Sequence, residues 1–197
     1  MQDILRGRVT RPEYVALLGD LHAVYHALER RIATHAASPL LAPFQFAPLA
    51  RAAAIRADLE VLAATASPML VVPLASTAAQ EYVHAVESAD PPGLVAHAYV
   101  RYLGDLSGGQ VLHKIVARAL ALPGESGLSF YAFPGVGDAS AFKDRYRVAL
   151  DALPLTDDEC DRVVAEAVRA FGLNISLFEA SGTRTPSSAA PHPPRNG

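Results

Sequence analysis

The stretch His97-Ala-Tyr-Val-Arg-Tyr-Leu-Gly-Asp-Leu-Ser-Gly-Gly-Gln110 carries three glycines inside an otherwise strong helical pattern. A glycine in a helix interior costs about 1 kcal/mol relative to alanine, so their presence needs a reason. Gly104 and Gly108 are four apart, share one face and leave the backbone bare there. The spacing admits two readings. One is close helix–helix packing or a kink, which accounts for most interior glycines. The other is a flat, bulky ligand lying against the bare backbone.

Outward from this stretch, helical periodicity dominates and no segment alternates with period two. Pro91-Pro92 opens the helix that carries the glycines, expected to run from about Pro92 to Leu122. Thr10-Arg-Pro-Glu13 is a capping box ahead of an amphipathic helix striped by Tyr14, Leu18, Leu21, Tyr25, Leu28 and Ile32. Prolines 39, 43 and 48 hold a short extended connection, and a second helix with Ala54, Ile55, Leu59 and Leu62 follows. Thr77-Ala-Ala-Gln80 is a further capping box for a helix to about Ser88. A glycine- and proline-bearing loop leads to a helix from about Asp138 to Leu153. Thr156-Asp-Asp-Glu159 caps the last helix, whose apolar stripe is Cys160, Val163, Val164, Ala167, Phe171, Ile175 and Phe178. The fold class expected is all-α, an irregular bundle in one domain over residues 1–180. Residues 181–197, rich in proline and serine, are expected to be a disordered tail.

The bulk numbers narrow the function. The chain has 197 residues, 51% of them hydrophobic, enough for one substantial core. A formal charge of −3 gives no basic field for nucleic acid. No run of roughly 18 apolar residues is present to span a bilayer. Cys160 is the single cysteine and cannot form an internal disulfide, which fits a reducing cytoplasm.

The run Ala96 to Leu112 is similar, almost residue for residue, to the distal-helix motif of heme oxygenases. The similarity extends to Gly127-Leu-Ser-Phe-Tyr-Ala-Phe-Pro134, Phe142-Lys-Asp-Arg-Tyr-Arg147 and Phe171-Gly-Leu-Asn-Ile-Ser-Leu-Phe-Glu179, and back to Val9-Thr-Arg and Tyr25. It covers roughly residues 1–180, with the motifs in the family's order. The fold it implies is the heme oxygenase helical bundle. The activity it implies is a monooxygenase in which heme is both substrate and cofactor and dioxygen is co-substrate. Biliverdin, carbon monoxide and ferrous iron are the products. A ferredoxin or flavoprotein reductase would supply electrons, since no flavin or nicotinamide fingerprint occurs in the chain. The alternative is a non-catalytic heme carrier or sensor on the same fold.

The resemblance also implies roles for single residues. Gly104 and Gly108 become backbone contacts to the porphyrin. Asp105 becomes the carboxylate that holds a proton-delivering water, where its own setting would also allow a solvated helix aspartate. Tyr25, Arg101 and Asn174 complete the polar network behind Asp105. Asn174 by itself is equally a core amide, and Arg101 by itself equally a surface ion pair. Lys143 and Arg147, four apart on one helix face, match propionate contacts, and Tyr99 matches a hydroxyl contact. Phe130, Phe133 and Phe171 supply aromatic contact to the ring.

The family's axial histidine lies on a first helix, and the residues before Val9 hold no histidine. The expectation is that this chain begins after the ligand-bearing segment, so no metal ligand is assigned. His22 and His26 are four apart, with Glu29 three further on, a spacing that can bind a metal. They flank the apolar stripe rather than occupy it, which favours boundary histidines.

Overall fold

The computed structural model describes residues 4, 6–44, 47–66 and 71–183. Seven α-helices order the chain: α1 (Arg11–Thr34), α2 (Ala52–Ala64), α3 (Thr77–Ser88), α4 (Pro91–Ala98), α5 (Gly104–Ala119), α6 (Ala139–Asp151) and α7 (Asp157–Thr183). No strand occurs among the described residues. The all-α expectation holds.

The centre is α1, packed against α2, α3, α4 and α7. The Thr10 box starts it: the Glu13 amide donates to Thr10 Oγ1 at 3.4 Å, and the Thr10 amide donates to Glu13 Oε2 at 2.7 Å. Behind it Leu18, Leu21, Val24, Tyr25 and Leu28 are buried, each apolar side chain stabilising by roughly 1.5–3 kcal/mol.

Several boundaries differ from expectation. The cap of α3 is Ser76, not Thr77. Ser76 Oγ accepts from the Ala79 amide at 3.1 Å, and its own amide and hydroxyl donate to the buried Asp20 carboxylate at 2.8 and 2.7 Å. That tertiary anchor, invisible in the local pattern, fixes Ser76 in the extended conformation a cap requires. The connection holding prolines 43 and 48 is two short 3-10 turns, Ala42–Phe44 and Ala47–Leu49. The expected helix from Pro92 to Leu122 is interrupted at Tyr99–Leu103 by a π turn. The last helix runs through Thr183, past the expected end of the domain, and residues 184–197 of the expected tail lie outside the described residues.

The stripe expected on the last helix also needs correcting. Cys160 is exposed, and so are Val164, Phe171 and Ile175. The inward face of α7 instead carries Ala170, Leu177 and Phe178. Ala170 is small and fully buried, so α7 approaches its neighbours closely and turns much of its apolar stripe outward. No helix of the described residues is long and apolar enough to cross a membrane.

Candidate active site

The site is assembled where α4 and α5 meet at the π turn. This turn keeps α4 buried along Leu94–Ala98 while swinging Gly104 out to the surface. Such turns are rare and concentrate at functional sites.

Arg101 points inward from the turn and is 1% exposed. Its Nη2 donates to Asp105 Oδ2 at 2.6 Å, and its Nη1 donates to Asn174 Oδ1 on α7. Tyr25 of α1 donates its hydroxyl to the same Asp105 Oδ2, and its ring lies 5.1 Å from the Arg101 guanidinium carbon. Three helices therefore meet on one carboxylate. Burial pushes the Tyr25 phenol well above its usual range, and the Asp105 charge pushes it further. Burial works against the Arg101 charge, but Asp105, Tyr25 and Tyr82 together hold its pKa above the ordinary value. Tyr25 thus stays a hydrogen-bond donor and Arg101 a cation at any physiological pH.

Beside this cluster the helix backbone is open. A Cβ built on Gly104 or Gly108 would meet nothing within 4 Å, whereas one on Gly109 would touch the Tyr131 ring at 3.5 Å. Helix packing therefore accounts for Gly109, and an open face for the other two. Lys143 of α6 reaches Ser107 Oγ at 3.4 Å. One turn further, Arg147 pairs with Asp144 at 2.8 Å. A cavity of about 430 Å³ lies between α4, α6 and α7, with Tyr99, Arg147, Leu150, Val163 and Val164 in its lining. Val164, Val168, Phe171 and Ile175 then continue along one exposed face of α7, at 50–68% exposure.

The structure thus brings together Tyr25, Arg101, Asp105 and Asn174 in one cluster, and Tyr99 with Arg147 in one cavity. It separates the three phenylalanines. Phe171 is exposed, Phe130 is buried with its ring edge on Tyr25 at 6.1 Å, and Phe133 lies under the Arg51 guanidinium at 4.2 Å. His97 is fully buried and bonded to Glu166 of α7 at 2.9 Å. His22 and His26 stack at 6.0 Å, and no group of three or more potential metal ligands occurs among the described residues.

Four residues around the cluster were missed from sequence. Tyr82 of α3 is fully buried, and burial pushes its phenol up to about 12. Glu29 accepts the amides of Arg51 and Ala52 at 2.6 and 3.1 Å, holding the start of α2. Arg51 and Asp58 are buried on the inward side of α2 with Ile55, Leu59 and Leu62. Their signal was present: two charges at the core spacing of an amphipathic helix.

Three comparisons bear on this arrangement. The family model "Heme oxygenase" matches residues 1–180. The heme oxygenase of Takifugu rubripes is 41% identical over 181 residues, covering 91% of this chain and 65% of its own length. Heme oxygenase 1 of Homo sapiens is 44% identical over 186 residues, covering 91% of this chain and 63% of its own. The chain therefore spans somewhat less than two thirds of these two relatives. Among solved structures, heme oxygenase-1 from the cyanobacterium Synechocystis in complex with heme superposes with a TM-score of 0.82. The identity there is 37%, with 91% of this chain and 81% of that one covered.

Proposed function

The chain belongs to the heme oxygenase family, and on that premise we propose that it opens heme oxidatively to biliverdin, carbon monoxide and ferrous iron. The observation that carries this reading is the buried Tyr25–Arg101–Asp105–Asn174 cluster set directly beside bare, open helix backbone. A carrier needs a pocket but not a proton-handling carboxylate, which favours the enzyme over the carrier.

The residues fit a porphyrin. Gly104 and Gly108 leave room for a flat ring against the helix. The exposed apolar face of α7, Phe171 included, offers it an edge. Lys143, Arg147 and Tyr99 stand where two propionates would be held. Bound heme would supply iron for activating dioxygen and the ring carbon that is attacked. The chain's own work is positional and acid–base. Tyr25 and Arg101 both engage Oδ2 of Asp105, fixing the carboxylate and turning Oδ1 to hold a water. Asp105 passes protons through that water, so no bulky acid crowds the glycine face. Asn174 ties Arg101 to α7 and keeps the guanidinium from following Asp105 outward. Electrons come from an external ferredoxin or flavoprotein reductase. A cytoplasmic setting accords with the single cysteine.

The test is a heme titration followed by single turnover with ascorbate or reduced ferredoxin, read as bilin absorbance and released carbon monoxide. Heme that binds and stays intact would leave the carrier reading in place.

A further inference from the structure

Two charged side chains sit in the apolar stripe of α2, and the proposed chemistry uses neither. Arg51 is 3% exposed and Asp58 1% exposed. Two helical turns apart, they share the inward face and reach one short segment, the 3-10 turn Ser129–Tyr131. Asp58 Oδ1 accepts the Ser129 amide at 2.8 Å, and Oδ2 accepts the Phe130 amide at 2.7 Å. Arg51 Nη1 donates to the Phe130 carbonyl at 3.4 Å and to the Ala132 carbonyl. Its Nε and Nη2 tie to the carbonyls of Leu49 and Pro48 at 3.2 and 3.0 Å. The anion thus grips the amide end of the turn and the cation its carbonyl end.

Apolar side chains would fill this space at lower cost than two desolvated ions. What the ions add is direction, since oriented bonds at both ends fix where the turn sits. The turn delivers the Phe130 ring, which meets the Tyr25 ring edge-on at 6.1 Å and 65°. Gly127, just upstream, helps to seat it. Its φ of +78° and a virtual Cβ only 2.9 Å from Leu62 admit no larger residue.

We propose that Arg51 and Asp58 are positioning residues for the reaction, a split ion pair that clamps the Ser129–Tyr131 turn so that Phe130 holds Tyr25 in bonding position to Asp105. The role in turnover rests on the heme oxygenase reading, whereas the clamp itself is a property of the heme-free protein and is tested there.

Tyrosine labelled at its phenolic carbon gives one NMR signal for Tyr25, assigned by its loss in Tyr25→Phe. In Arg51→Met and Asp58→Ala, this signal should move toward its position in Asp105→Ala. Amide exchange at Ser129 and Phe130 should accelerate by about tenfold, the loss of one charge-assisted bond. Arg51→Lys, which keeps the charge, should restore part of the shift. With heme added, the bilin-forming rate should fall while heme affinity stays within about twofold, because neither residue lines the open glycine face. Faster exchange with an unmoved Tyr25 signal would overturn the proposal and reduce the pair to a loop staple. If the charge-removing variants fail to fold, Phe130→Leu keeps both ions and removes the ring edge. The same Tyr25 shift is then expected, and its absence overturns the proposal equally. Wild-type protein that binds heme without forming bilin would instead refute the activity, independently of where the Tyr25 signal lies.

Discussion

Asp105 is 13% exposed at its side chain and is the nearest anion to a guanidinium that is almost fully buried. Asp105→Ala therefore has two separable effects. Bilin formation should be abolished while heme affinity stays nearly unchanged, because Asp105 handles protons and does not hold the ring. The heme-free protein should also lose about 3 kcal/mol, since Arg101 keeps its charge without its partner. Single-turnover absorbance reads the first effect and urea unfolding the second; normal bilin yield would sink the mechanism. Lys143 and Arg147 call for a smaller number. Arg147 is 55% exposed, so two contacts at about 1 kcal/mol each predict roughly thirtyfold weaker heme binding on reversing both charges. Unchanged affinity by titration would return both to a solvated surface. Residue identities here were legible in sequence to an uneven degree. The resemblance named Tyr25, Arg101, Asp105 and Asn174, and they are together in the fold. Tyr82 and Glu29 escaped because their partners lie on other helices, and spacing within one helix says nothing of what stands opposite.

At the level of elements, the helix bearing the glycines predicts opposite signs for two measurements. A Cβ at Gly104 or Gly108 meets only open space, so Gly104→Ala and Gly108→Ala should each stabilise the heme-free protein by about 1 kcal/mol. The same methyl groups should weaken heme binding, because they occupy the face proposed for the ring. Thermal melting and heme titration check the pair; a variant that gains stability and keeps affinity would move the ring elsewhere. The start of α2 predicts a pH slope. Burial raises the Glu29 carboxyl above its ordinary value, although the Arg51 and Ala52 amides oppose the shift. A carboxyl of this kind binds its proton more tightly when folded. Its stabilisation is therefore complete below the unfolded pKa and lost as pH rises through the raised one. Unfolding free energies of wild type minus Glu29→Gln should accordingly decline from the ordinary carboxylate range upward. A rising difference would show that the amide bonds outweigh burial. Helix caps at Thr10 and Thr156 were readable because each box closes on itself within four residues. The Ser76 cap and the π turn were not, since Asp20 and the α7 contacts that settle them come from distant sequence.

For the whole molecule, the outward stripe Val164, Val168, Phe171 and Ile175 is the largest departure from the expected core. The periodicity of α7 was correct and its direction was not, because a helical stripe looks the same whether a neighbour or a ligand is to cover it. An exposed apolar face of this kind should bind a hydrophobic dye and promote self-association in the heme-free protein. Val164→Glu with Val168→Glu should lower both, at little cost to stability, as read by dye fluorescence and light scattering. Equal dye binding before and after substitution would place the sticky surface elsewhere. The π turn has a consequence on this scale too. A π turn closes each hydrogen bond over one residue more than an α turn, so along the chain it amounts to a single-residue insertion. Excising one codon within Tyr99–Leu103 would let the helix run on as regular α and rotate everything after it by about 100°. Gly104, Asp105 and Gly108 would keep their order yet face new neighbours. In the history of such a gene, substitutions across this helix can accumulate gradually, but its length has to be inherited whole.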